Sequence, residues 1–171
     1  MKNKKTLKIL AFAFPLLLLG IIGYLFFGLQ QKKQMAETLH TLPEISMKTI
    51  NGKGLQTKKL DNGKNKVIIY FSPHCHFCEA EAEELSKIYA KNPDTEWIWI
   101  ASEPIEEIKD FAKQHQLDNK EQIKWCNDDQ ALFYRKFSLG SVPYLLAYNK
   151  NNQLVYKNKG AIKLEQILTH F

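Results

Sequence analysis

Cys75 and Cys78 stand three residues apart in the stretch Ser72-Pro73-His74-Cys75-His76-Phe77-Cys78, with a histidine on each side of the first. Thiols at this spacing reach each other. One can attack a disulfide as a thiolate, and the other can resolve the mixed disulfide that results. The same stretch offers two thiolates and two imidazoles, ligands that suit copper or zinc. A purely structural staple is the third use, but the chain has 3 cysteines in 171 residues, too few and an odd number for a disulfide scaffold.

The chemistry depends on what holds these residues. Lys66–Phe71 is a short apolar run rich in β-branched and aromatic residues, the pattern of a strand buried on both faces. From His76 to about Lys91 the residues favour a helix, with apolar spacing at Ala82, Leu85, Ile88 and Tyr89 and a stop at Pro93. Cys75 therefore lies at a strand-to-helix junction. The partial positive charge and free N–H groups of a helix start favour a thiolate there. Cys78 falls one turn further in. A protonated His76 or His74 would stabilise the thiolate further and make the disulfide a stronger oxidant.

Around this unit the pattern alternates. Glu44–Ile50 and Leu55–Leu60 flank Asn51-Gly52-Lys53-Gly54, a hairpin signal. Glu96–Ala101 reads as a second buried strand and Ile105–Gln116 as a helix. Glu121–Cys126 is a weaker strand, and Asp129–Phe137 is a helix capped by Asp128 or Asp129. Val142–Tyr148 and Leu154–Asn158 form a hairpin, and Ile162–Phe171 is a final helix. Strands alternating with helices require parallel crossovers, and the hairpins add antiparallel strands. The expectation is an α/β fold, a mixed central sheet with helices on both faces and an N-terminal β-hairpin extension.

The N-terminal end has its own logic. The net charge of +6 comes from Lys2, Lys4, Lys5, Lys8, Lys32 and Lys33, and the first 33 residues hold no acid. The rest of the chain balances at 18 basic and 18 acidic side chains, so no basic face awaits nucleic acid. Ile9–Leu29 carries no charge, and as a helix rising about 1.5 Å per residue it spans about 30 Å, the thickness of a bilayer core. No small-residue cleavage pattern follows it, so it reads as an uncleaved anchor rather than a signal peptide. With most lysines ahead of the span, the N-terminus lies in the cytoplasm. The expected organisation is a basic cytoplasmic tail over residues 1–8, a transmembrane anchor over 9–29, a linker over 30–41 and a globular domain over 42–171.

The stretch Phe71-Ser72-Pro73-His74-Cys75-His76-Phe77-Cys78, followed by Glu81 and by Val142-Pro143 before a late strand, resembles the thioredoxin superfamily. With the N-terminal anchor, the likeness is to its membrane-anchored TlpA-type thiol–disulfide oxidoreductases. That resemblance implies a thioredoxin-like fold and roles for particular residues. Cys75 would be the nucleophile and Cys78 the resolving thiol. Pro143 would follow a cis peptide bond and face the dithiol, with the backbone of Val142 pairing with substrate and His74 beside it. Glu81, three residues after Cys78 on one helix face, would move the proton of the buried thiol. His76 would tune the nucleophile. There are departures. Ile69 stands where thioredoxin has a buried aspartate, His74 where a tryptophan is common, and His76-Phe77 where thioredoxin has Gly-Pro. These bear on the redox potential, which the residues leave open. Cys126 reads as a buried, inert thiol.

The expected function is exchange of disulfides in exported proteins, as a reductase, in the inner membrane with the catalytic domain in the periplasm or its equivalent. Protein thiols and disulfides are the expected partners, together with membrane lipid along Ile9–Leu29 and an electron donor in the membrane. No cofactor and no resident metal are expected. The alternatives are a copper or zinc carrier built on His74, Cys75, His76 and Cys78, and a thiol peroxidase, which Ser72-Pro73 resembles only faintly.

Overall fold

The computed structural model describes residues 2–60 and 63–171. The side chains of residues 2–12, 31–32 and 34–36 are not described, so the basic tail over 1–8, the start of the span at Ile9 and Lys32 lie outside the described side chains. The chain divides into two units, residues 1–38 and 39–171, each described here by itself.

In the first unit, helix α1 (Lys2–His40) runs through Pro15. Within it, Ala13–Gln30 is long and apolar enough to cross a membrane. Its described apolar side chains are exposed. The segment read as a linker is helical through His40. The compact second unit starts three residues earlier than the sequence suggests, because Leu39 is already buried.

The second unit is built on a seven-stranded sheet ordered β2-β1-β5-β4-β3-β6-β7. Its strands are β1 (Ser46–Thr49), β2 (Gly54–Gln56), β3 (Asn65–Tyr70), β4 (Thr95–Ala101), β5 (Ile123–Asn127), β6 (Tyr144–Tyr148) and β7 (Leu154–Lys159). β3, β4 and β5 are mutually parallel, while β6 runs antiparallel to β3. The terminal hairpin β6–β7 closes one edge and the β1–β2 hairpin extends the other. The mixed sheet, with its N-terminal hairpin, agrees with the expected fold class.

The helices are α2 (His76–Ile88), α3 (Ile105–Gln114), α4 (Leu132–Lys136) and α5 (Leu164–Leu168). Side chains alternate across a strand, so each strand feeds two cores. On one face Val67, Ile69, Phe71, Trp97, Trp99 and Trp125 pack with Cys78, Ala82 and Leu85 of α2, Phe111 of α3 and Ile167 of α5. On the other, Tyr70 stacks on Phe133 of α4, ring centroids 6.0 Å apart. Helices thus cover both faces, which keeps the central strands dry and explains their unbroken apolar runs.

One element departs from expectation. Asp129–Phe137 is not a single helix. A 3-10 turn over Asp129–Ala131 precedes α4, and Gln130 and Ala131 take positive φ values of 60° and 51°. Asp128 is buried and accounts for the delay. Its carboxylate accepts the N–H groups of Phe133 and Tyr134 at 2.9 and 3.1 Å, and the Tyr70 hydroxyl at 2.9 Å. The cap therefore acts five and six residues downstream instead of at the next turn.

Candidate active site

β3 delivers the chain to the site. After the Phe71 N–H bonds the Ile100 carbonyl at 2.9 Å, the backbone leaves the sheet and turns through Ser72-Pro73-His74. Cys75 is the N-cap of α2, in an extended conformation. Its carbonyl accepts the N–H groups of Cys78 and Glu79 at 2.9 and 3.1 Å. This is the strand-to-helix junction that the sequence implies, and it places Cys75 at the N-terminal end of α2. Cys75 is half-buried, Cys78 is wholly buried, and both are free thiols.

Burial pushes the Cys78 thiol well up from its ordinary range. A hydrogen bond from the Ser72 backbone N–H opposes that shift, while Cys75 and Glu81 add to it. A thiol in this position stays protonated until something takes its proton. Glu81, one turn further along α2, is only 2 % exposed. Its Oε1 accepts the Ile162 N–H at 3.1 Å, and its Oε2 is buried with no hydrogen-bond partner among the described residues. Burial raises the carboxyl to about 7, opposed by the Ile162 N–H and helped by nearby Glu84. The site thus holds a carboxylate poised to exchange a proton near neutrality, electrostatically coupled to the buried thiol.

The Val142–Pro143 peptide bond is cis. Tyr144 pairs with Tyr70, so the residues entering β6 lie at the same end of the sheet as those leaving β3. Pro143 is buried, and its carbonyl accepts the Gly160 N–H at 2.8 Å. Val142 and Cys75 are partly buried against the same core.

The two histidines turn away from each other. His74 Nε2 meets Glu107 Oε2 of α3 at 2.8 Å, and His76 Nδ1 meets Glu79 Oε2 at 3.5 Å. The His76 side chain is 89 % exposed. The convergence of both imidazoles on two sulfurs that a metal carrier would use is not the arrangement found. No group of three or more His, Cys, Asp or Glu side chains converges among the described residues. Cys126 is buried on β5 in register with Ile100, on the sheet face opposite Trp125 and Cys78, and burial pushes its thiol up to about 12.

Glu103 escaped the sequence reading, and Ser72 entered it only as a faint likeness to a thiol peroxidase. The Ser72 hydroxyl donates to Glu103 Oε1, and Ser72 accepts two further bonds beside the dithiol, from the His74 and Cys75 N–H groups. Glu103 lies in the loop between β4 and α3, 31 residues away, with no motif to flag it. Only the position of Ser72 beside the dithiol hinted at a role.

The comparisons with known proteins agree with this fold. Soluble secreted antigen MPT53 of Mycobacterium tuberculosis is 24% identical over 157 residues, covering 91% of this chain and 87% of the relative. A secreted Mycobacterium tuberculosis disulfide oxidoreductase homologous to E. coli DsbE superposes with a TM-score of 0.63 at 22% identity, over 74% of this chain and 93% of that one. StoA from Bacillus subtilis gives 0.60 at 15% identity, over 77% and 98%. The fold is thioredoxin-like, and disulfide oxidoreductases are among the solved structures that share it. The sequence pattern of the AhpC/TSA family runs from residue 39 to residue 162, nearly the whole of the unit that holds the dithiol, and this chain belongs to that family.

Proposed function

We propose that this chain is a membrane-anchored, extracytoplasmic thiol–disulfide oxidoreductase that reduces disulfides in exported proteins through Cys75 and Cys78. The observation that carries the reading is the asymmetry of the two thiols. Cys75 is accessible at the N-terminus of α2, and Cys78 is buried beside a carboxylate raised to about 7. That is the division of labour that a two-step exchange needs.

The Cys75 thiolate attacks a substrate disulfide. A bond forms between Cys75 Sγ and one substrate sulfur, and the other leaves with the electron pair as a thiolate. Glu81 then takes the proton of Cys78, whose sulfur attacks Cys75 Sγ and expels the second substrate sulfur. The substrate gains two electrons and the enzyme is left as the Cys75–Cys78 disulfide, for a donor dithiol in the membrane to reduce. In this reading Glu81 does what the aspartate missing at Ile69 would otherwise do. Val142 and Pro143 line the substrate backbone, and His74 and His76 flank the nucleophile, with His76 tuning it. The exposed apolar helix Ala13–Gln30 supports the anchor, and the secreted relatives support an extracytoplasmic domain.

The test is the reduction potential of the Cys75–Cys78 couple, equilibrated against glutathione and dithiothreitol buffers. A value near about −270 mV supports a reductase, and one near about −120 mV an oxidase. If no reversible disulfide forms at any poise, dithiol exchange is excluded.

A further inference from the structure

Two kinds of side chain neighbour Cys75 along the chain. His74 and His76 are open to solvent, and each meets a partly exposed carboxylate, Glu107 and Glu79 respectively. Phe77 is different. It is apolar, 58 % exposed, and stands one residue before the buried resolving thiol. Helix α2 buries Cys78, Ala82, Leu85 and Ile88 on its inner face, and at about 100° per residue Phe77 falls off that face. Its ring meets that of His76, with centroids 6.2 Å apart, and takes no part in the apolar core.

Among the described residues of the second unit, two other large apolar side chains are exposed. Leu132 opens α4 on the other face of the sheet, and Phe171 ends the chain. Of the three, Phe77 adjoins the dithiol in the chain. A single exposed apolar side chain is ordinary at a protein surface. Two positions from a nucleophile it meets a special circumstance. The mixed disulfide ties the substrate's cysteine to Cys75 Sγ, so the substrate residues on either side of that cysteine come within reach of the first turn of α2. Val142, which takes the substrate backbone in the exchange reading, is partly buried against the same core as Cys75. An aromatic anchor with polar groups at its margin is the pattern of a recognition site.

We propose that Phe77 is a specificity-determining residue, which takes up the apolar side chain next to the reacting cysteine of an unfolded exported chain. This deepens the dithiol-exchange reading and rests on it. Cysteines and large aliphatic residues are among the most buried side chains of a finished protein. They are presented together before folding is complete, or after it has failed. An aromatic ring beside the nucleophile therefore selects disulfides in unfolded segments over those on polar surfaces, by removing apolar area from water on both sides of the contact.

The test is the second-order rate at which the reduced full-length chain, in mild detergent, releases thiol from two symmetrical peptide disulfides, followed by acid quench and chromatography. In one, each pentapeptide has leucine on both sides of its cysteine. In the other it has serine, and both peptides carry a lysine at each end. Wild type is expected to favour the leucine peptide by at least about tenfold, equivalent to about 1.4 kcal/mol. Phe77→Ser is expected to bring the ratio of the two rates below about twofold, and Phe77→Leu to keep it above about fivefold. The ratio separates recognition from tuning, because a change in the thiolate or in the redox potential of the dithiol moves both rates together. Leu132→Ser alters a side chain of equal exposure and is expected to leave the ratio within about twofold of wild type. A wild-type ratio below about twofold overturns the inference, as does a ratio that Phe77→Ser leaves unchanged or that Leu132→Ser abolishes. A wild-type chain that releases thiol from neither peptide overturns the exchange reading instead, which keeps the two failures apart.

Discussion

Replacing Glu81 by glutamine isolates the cost of one ionisation. In the folded chain the carboxyl is 2 % exposed and raised by burial from near 4.5 to about 7. The unfolded chain keeps the ordinary value. Between those limits the folded state holds a proton that the unfolded state has lost, so stability falls as pH rises from about 4.5 through about 7. Above that the full penalty is present, and below about 4.5 it is absent. At about 1.4 kcal/mol per pH unit the interval amounts to roughly 3 kcal/mol. Glutamine cannot ionise. Its Oε1 can still accept the Ile162 N–H, and its amide group sits unpartnered where Oε2 was, a cost that does not change with pH. The quantity to follow is therefore the difference in urea-unfolding free energy between Glu81→Gln and wild type, both reduced, measured from pH 4.5 to pH 8.5. It should move in favour of the glutamine variant by roughly 3 kcal/mol across that range, most steeply between about 5 and 7. A difference flat to within about 0.5 kcal/mol would mean that Glu81 ionises as if in water, and the burial argument would fail.

The same proton should appear in kinetics. Resolution of a mixed disulfide should accelerate as pH passes through about 7, where Glu81 becomes able to accept, and Glu81→Gln should flatten that rise in stopped-flow thiol release. Cys78→Ser should accumulate a stable mixed disulfide at Cys75, visible by mass spectrometry, whereas Cys75→Ser should lose exchange activity by at least about a thousandfold. Asp128→Ala removes the acceptor of three hydrogen bonds, from Tyr70, Phe133 and Tyr134, and should cost about 3 kcal/mol in urea unfolding. His74→Ala should cost under about 1 kcal/mol, because its partner Glu107 and the imidazole are both open to solvent.

Most of the architecture was legible because burial writes itself into period and composition. Val67 to Phe71, Trp97 to Ala101 and Tyr144 to Tyr148 are buried on both faces, and they read as unbroken apolar runs. The dithiol was legible because its chemistry is local, with two cysteines at fixed spacing where a strand becomes a helix. The break before α4 was not. It depends on Asp128 reaching Phe133, Tyr134 and the distant Tyr70, and the last of these is a tertiary contact that no window of sequence contains. Glu103 was hidden for the same reason, since its link to Ser72 crosses from one strand end to the next. The environment of Glu81 was half visible. Its place beside Cys78 follows from helical spacing, but its desolvation depends on the backbone at Ile162 folding over it, 81 residues away.

The position of Cys126 matters for fidelity. A third thiol in a protein that trades disulfides is a standing invitation to scramble, since any mixed disulfide could be resolved from the wrong side. Here β4 and β5 stand between it and the working pair, and its own backbone is locked in register with Ile100 and Thr49. The sheet acts as an electrical partition. Electrons that enter at Cys75 have one internal exit, through Cys78, and a stalled intermediate must wait for that exit or return to its partner. Among these three thiols, a shortcut would require the sheet itself to open.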